Sequence, residues 1–162
     1  MTSSTVLLPT RRATRRLGSA LARHLRPGDL VVLEGPLGAG KTFLARAIAR
    51  SLGVASDVPV QSPTFALVHE LPARVPLRHA DLYRLRSATE LDELGLDEAA
   101  SSSITIVEWG ARFGDSLGRD RLEIVLERPI DAPRRAVLSA FGARSDVLRD
   151  GVMRALAALA PP

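Results

Sequence analysis

GPLGAGKT, Gly35 to Thr42, lies between the apolar run LVVLE (30–34) and the helix-forming run KTFLARAIARSLG, and it limits the fold more than any other stretch of the chain. A Gly-x4-Gly-Lys-Thr loop needs a buried strand to deliver the chain to the turn and a helix to carry it away. Its glycines let successive backbone N–H groups converge on phosphate oxygens, and the helix N-terminus adds partial positive charge. Lys41 is the sole lysine among the 22 Lys and Arg residues. A flexible stem with a compact ammonium follows β- and γ-phosphates as a point charge, where an arginine fork is too bulky and too fixed. Thr42 offers its hydroxyl to magnesium. Gly35, Gly38, Ala39, Gly40, Lys41, Thr42 and Phe43 are therefore the expected nucleotide contacts.

Around this loop the chain alternates short apolar runs with amphipathic ones. TVLLP reads as a strand, and TRRATRRLGSALARHL as a helix that Thr10 can cap. FALVHEL, LRHADLY and SITIVEW read as strands, RLEIVLE and RRAVLSAFG as an antiparallel pair. SATELDELGLDEAA carries a capping-box pattern, Ser87 with Glu90, and is read as a helix. The tail helix puts Leu148, Val152, Ala155, Leu156 and Leu159 on one face. The expected class is α/β, with a partly parallel sheet and an antiparallel C-terminal part, in one domain over residues 1–162.

A P-loop nucleotidase needs an acid at the end of a neighbouring buried strand to hold the metal or its water. Glu108 ends ITIVE and Asp81 ends LRHAD, so both are candidates; a strand-end carboxylate that caps a helix or pairs with arginine is the plainer alternative. Thr64, in the proline-stiffened SPTF, has the spacing of a threonine that senses a γ-phosphate. Small-GTPase guanine recognition requires Asn/Thr-Lys-x-Asp, and this chain has no asparagine and no second lysine, which excludes it. Protein-kinase chemistry lacks its H-R-D and D-F-G loops, leaving an ATPase or a small-molecule kinase. With no cysteine, disulfides and thiolate metal sites are excluded, and His24, His69 and His79, lacking zinc-ligand spacing, read as surface or packing residues. The start lacks a secretory pattern and no apolar run reaches spanning length, so the expectation is a cytoplasmic protein with no membrane partner. A net charge of +4 and a pI near 10.8 leave two readings open, a nucleic-acid patch or solvated arginine faces such as that of Arg12, Arg15, Arg16 and Arg23.

GPLGAGKT, SPTFALVHEL, HADLYRL, ELGLDE and VEWGARF, in this order and spacing, resemble the bacterial TsaE family, also called YjeE. The resemblance spans ATRRLG to RRAVLSAFG, nearly the whole chain. It implies a P-loop NTPase fold with a parallel sheet core flanked by antiparallel strands and helices, and it implies ATP and Mg2+. By resemblance Thr42 and Glu108 are metal residues, Asp81 stands near the metal and γ-phosphate, Thr64 belongs to a switch-like loop, and Trp109 lies beside the site. The adenine side falls to Thr10 and Arg134. The activity implied is an accessory ATPase of tRNA threonylcarbamoyladenosine synthesis, slow alone. It drives or resets a TsaB–TsaD complex and meets tRNA through that complex. A small-molecule kinase and a nucleotide-gated adaptor with incidental hydrolysis are the alternatives. Pro36 stands where the family often has Asp, and it brings no N–H to the loop.

Overall fold

LVVLE forms β2 (Leu30–Glu34), which has a parallel partner on each edge: β5 (Ile104–Glu108) and β6 (Leu122–Glu127). A strand paired on both edges and covered on both faces has no solvated side, which is why its sequence is continuously apolar. The computed structural model describes residues 3–63, 67–96 and 100–159. Beyond β5, β4 (Leu77–Asp81) extends the parallel core, and β3 (Val68–Leu71) closes that edge antiparallel. On the other side β7 (Arg135–Ala140) returns antiparallel along β6, and β1 (Ser3–Leu7) lies antiparallel on β7. The seven-stranded order is β1-β7-β6-β2-β5-β4-β3, a parallel core with antiparallel flanks, as expected.

Side chains alternate across the sheet with period two, and the core follows that alternation. Val31, Leu33 and Ile106 face a cluster built by Leu17 and Leu21 of α1 (Arg11–His24), Leu44 and Ile48 of α2 (Lys41–Ser51), and Leu148 of α4 (Ala143–Ala157). Val32 and Val107 face the opposite way, onto Leu82, Leu85, Leu117 and Leu91 of the short α3 (Ala88–Asp92). The Thr10 hydroxyl caps α1 by accepting from Ala13 N at 3.1 Å. No helix of the described residues is long and apolar enough to cross a membrane.

Three local expectations need correction. The helix read over SATELDELGLDEAA stops at Asp92: Ser87 Oγ accepts from Glu90 N at 3.2 Å, but Glu90 reaches Arg86 N at 2.7 Å rather than closing the box on Ser87. Arg78 Nη1 then draws the carbonyls of Gly95 and Leu96 onto the sheet at 2.9 and 3.0 Å, a tertiary pull that local propensity does not reveal. The strand read over FALVHEL begins only at Val68, after Leu67 at φ 57°; Phe65 and Ala66 lie outside the described residues. The apolar stripe of α4 ends at Leu156, because the helix stops at Ala157 and leaves Leu159 exposed.

The N-terminus of α4 has no cap of its own, since Gly142 precedes it. Asp120 supplies one from the loop before β6, accepting from Arg144 N and Ser145 N at 2.8 Å each. A Cβ on Gly142 would stand 2.3 Å from the Asp120 carboxyl carbon, so glycine makes room for the distant cap. Partial burial pushes the Asp120 carboxyl up, but the N–H groups of Arg144 and Ser145 outweigh it and hold the group below the ordinary aspartate range. Its stabilisation is thus full above about pH 4 and fades as pH falls through the lower folded value. Asp120→Ala is expected to lose about 1 kcal/mol in denaturant unfolding at neutral pH, the usual scale of an N-cap. Asp120→Asn should keep most of that stability while losing the acid-side dependence.

Candidate nucleotide site

Because β2, β4 and β5 run parallel, their C-terminal ends reach the same end of the sheet. Register sets the neighbours there: Asp81 pairs with Glu108, and Leu33, two residues before the loop, also pairs with Glu108. In the loop Gly35 adopts φ 133°, and a Cβ on it would come within 2.3 Å of the Leu126 carbonyl oxygen of β6. Only glycine passes that strand. Pro36 contributes through its carbonyl, which accepts from Ala39 N and from Lys41 Nζ, each at 3.1 Å.

Lys41 Nζ also donates to Gly35 O at 2.7 Å and sits 3.6 Å from the centre of the Trp109 ring. Burial pulls its pKa below the ordinary lysine value, while the carboxylates of Glu108, Glu34 and Asp81 push the other way. Trp109 has φ 62°, a conformation that a bulky residue adopts only when its surroundings impose it. Its backbone N–H is bound to Leu33 O at 3.0 Å, and its ring packs against Tyr83 at 5.1 Å and 56°. The strained turn thus places an aromatic face against the one ammonium of the loop.

The Thr42 hydroxyl donates to Glu108 Oε2 at 3.0 Å. The other oxygen, Oε1, is 2.9 Å from His79 Nε2; with Glu108 ionised the Nε2–H donates. Glu108 is 2% exposed and His79 1%, and His79 Nδ1 has no partner among the described residues. His79 is therefore more than the surface or packing residue its sequence context suggests. It lies two residues before Asp81 on β4, so both project from the same face beside Ile106 and Glu108, and the His-x-Asp spacing was the signal to follow. Asp81 accepts from Tyr83 N at 2.9 Å through Oδ1 and from the Ser62 hydroxyl through Oδ2.

The structure thus gathers Gly35, Gly38, Ala39, Gly40, Lys41 and Thr42 with Glu108 and Asp81 at one end of the parallel strands. Phe43 and Arg134 line a cleft on the other side of the loop with Leu8, Thr14, Ala39 and Gly40. Thr10 does not line it; its hydroxyl accepts from Ala13 N at the start of α1, and the buried Thr14, one turn on, lines the cleft. Thr64 lies outside the described residues. The donor set suits magnesium. One hydroxyl and one carboxylate adjoin, a second carboxylate lies on the next strand, and no group of three or more His, Cys, Asp or Glu among the described residues would cage a metal alone. Magnesium is commonly held in that way, by one or two carboxylates together with substrate phosphates and water.

Known proteins resemble this chain at the level of both sequence and fold. The family profile described as "Threonylcarbamoyl adenosine biosynthesis protein TsaE" matches residues 8–137. A relative from Streptomyces coelicolor named tRNA threonylcarbamoyladenosine biosynthesis protein TsaE is 41% identical over 138 residues, covering 80% of this chain and 92% of the relative. A Bacillus subtilis relative of the same name is 36% identical, covering 87% of this chain and 88% of its own length. The crystal structure of Bacillus subtilis YdiB superposes with a TM-score of 0.80 at 30% identity, covering 94% of this chain and 95% of that one.

His79→Phe fills the space but leaves Glu108 Oε1 without a donor. The expected loss in thermal or denaturant unfolding is about 1–3 kcal/mol, the penalty for an unsatisfied buried acceptor. His79→Gln, which can still donate, should recover part of it; equal losses in both variants would reduce His79 to a packing role.

Proposed function

This chain belongs to the TsaE family, the proteins of tRNA threonylcarbamoyladenosine biosynthesis, and from that membership we propose that it is an ATP hydrolase that drives or resets a TsaB–TsaD threonylcarbamoyl-transfer complex. The observation that carries the hydrolase reading is the hydrogen bond from the P-loop Thr42 to the buried, strand-end Glu108. Those two side chains supply a cation site where the phosphates of a P-loop nucleotide lie.

In this reading the loop amides and the N-terminus of α2 bind the phosphates. Lys41 exchanges the carbonyls of Gly35 and Pro36 for β- and γ-phosphate oxygens. Thr42 and Glu108 hold Mg2+, with His79 fixing the carboxylate's orientation. Magnesium, when bound, offsets the charge that develops on the phosphate oxygens. Asp81, anchored by Tyr83 N–H and the Ser62 hydroxyl, accepts a hydrogen bond from the attacking water and orients it in line with the γ-phosphorus. Arg134 and Phe43, which line the cleft beside the loop, take the adenine side, and Thr64, on the family's sequence pattern alone, senses the γ-phosphate.

The partner-dependent part of the proposal rests on the family role and on the rim of the site. Leu37 is 90% exposed and Tyr83 62% exposed beside Asp81 and Trp109, an apolar rim that a partner can cover. Arg112 reaches the carbonyls of Leu82 and Leu85, so the turn carrying Tyr83 is held in place for such docking.

Lys41→Ala should abolish most ATP affinity in calorimetric titration with magnesium while circular dichroism stays unchanged. Unaltered affinity in the folded variant contradicts the phosphate role of the loop. Glu108→Ala and Asp81→Ala are expected to slow steady-state hydrolysis by roughly 10²-fold or more with smaller effects on ADP binding, the scale of losing a positioned catalytic group. Phosphate release should be slow for the chain alone, faster with a TsaB–TsaD complex, and impaired by Thr64→Ala. Full-speed turnover indifferent to that complex argues against the resetting role, and phosphoryl transfer to an added small molecule favours a kinase.

A further inference from the structure

Between Met1 and Ser56 the only acidic residues are Asp29 and Glu34, against nine Lys and Arg, and α1 and α2 contain no acid at all. Both acids are already engaged. Asp29 takes a two-pronged contact from Arg144, Nε to Oδ1 at 2.8 Å and Nη2 to Oδ2 at 2.6 Å, and Glu34 Oε1 accepts from Ala111 N at 2.7 Å. Leu17, Leu21, Leu44 and Ile48 turn inward, which leaves the arginines of both helices on the outer side.

The helices approach closely where Gly18 meets Ala47; a Cβ on Gly18 would come within 2.6 Å of the Ala47 Cβ. That contact makes one groove of about 340 Å³ lined by Arg15, Phe43, Arg46, Ala47, Arg50 and Ser51. Arg11 and Arg15 stand 5.9 and 5.8 Å from the centre of the Phe43 ring. Arg46 Nε is fixed by Val60 O at 3.0 Å, and Arg50 by backbone carbonyls that include Val58 O at 2.6 Å. Among the described residues, none of Arg11, Arg15, Arg46 and Arg50 meets a carboxylate. Neutral acceptors therefore hold two of these guanidinium groups in place without cancelling their charge.

We propose that this groove binds the ribose-phosphate backbone of RNA. Uncompensated guanidinium groups suit phosphate oxygens: Arg11, Arg15 and the Nη groups of Arg46 offer paired N–H donors, while Arg50, whose Nη groups already donate to the carbonyls of Val54, Ala55, Ser56 and Val58, contributes charge. An acidic protein surface is the less fitting occupant, since protein interfaces centre on a buried aromatic or apolar anchor. Here the lone aromatic, Phe43, already has arginines over its ring, and the exposed Leu37 and Tyr83 lie at the rim of the nucleotide site instead. The same covering of Phe43 makes the groove a backbone clamp rather than a stacking platform for bases. Phe43 also borders the cleft beside Ala39 and Gly40, so bound RNA lies next to the P-loop. The inference extends the family role to direct contact with RNA and does not depend on ATP hydrolysis.

Fluorescence anisotropy with an unmodified tRNA transcript and the full chain tests it. Affinity should fall roughly 10²-fold between about 50 and about 200 mM salt, as about four phosphate contacts imply. Arg15→Gln with Arg46→Gln should weaken binding by about tenfold or more and flatten the salt slope by about 2. Arg119→Gln with Arg128→Gln removes the same charge from exposed positions elsewhere and should change affinity by less than about twofold. If removing Arg46 loosens the Val60 segment, Arg11→Gln with Arg15→Gln removes two charges from α1 alone and should show the same loss. ATP affinity, measured by calorimetry, should be retained in every variant, which separates a failed groove from a failed nucleotide site. Equal losses in the groove and control variants, or no tRNA binding at low salt, would overturn the proposal. So would a groove variant that loses polyglutamate binding and keeps its tRNA affinity, the mark of an acidic protein partner.

Discussion

Glu108 is a carboxylate at the end of the most buried strand, and a charge so enclosed must be hydrogen-bonded to be tolerated. Its two oxygens are divided between Thr42, on the helix that leaves the P-loop, and His79, on the adjacent strand. One group therefore joins α2, β4 and β5. The helix cannot drift along the sheet without breaking one bond, nor can β4 slip in register without breaking the other. The same two bonds leave the carboxylate facing the first turn of α2, where the proposed phosphate-bound cation would sit. Structural demand and the proposed chemical use coincide at this residue.

The glycine loop is located with comparable strictness from the other side. Leu126 O on β6 crowds the Cα of Gly35, and the parallel pairing of β6 with β2 fixes that approach. Pro36 has no N–H to offer, and its part in the loop is as an acceptor: its carbonyl takes hydrogen bonds from Ala39 N and Lys41 Nζ. The strain at Trp109 belongs to the same arrangement, since its N–H is tied to β2 while its ring is brought against Lys41.

Much of this was legible in the sequence because the signals are local. Strands buried on both faces read as unbroken apolar runs, so LVVLE and ITIVE were evident, and a carboxylate closing such a run stands out. The Thr10 cap and the antiparallel pair after residue 120 were equally local matters of spacing. What escaped depends on groups distant in sequence. Nothing near Gly142 announces that Asp120 will cap α4, and nothing near Asp92 announces that Arg78 will take the carbonyls of Gly95 and Leu96. His79 falls between these cases: its strand position was clear, but its role emerges only once the parallel register sets it beside Glu108.

The lone lysine has a practical consequence. Apart from the chain's own amino terminus, Lys41 is the only primary amine in the molecule, and it is also the side chain assigned to the phosphates. It is 5% exposed, and burial has lowered its proton affinity, so a larger fraction is unprotonated than for a surface lysine. An acylating reagent that reacts with free amines therefore has a single internal target, reached only when the Gly35 and Pro36 carbonyls and the Trp109 ring release it. The mass of the intact chain then becomes a clock for the opening of the phosphate loop, with no engineered label and no background from other side-chain amines.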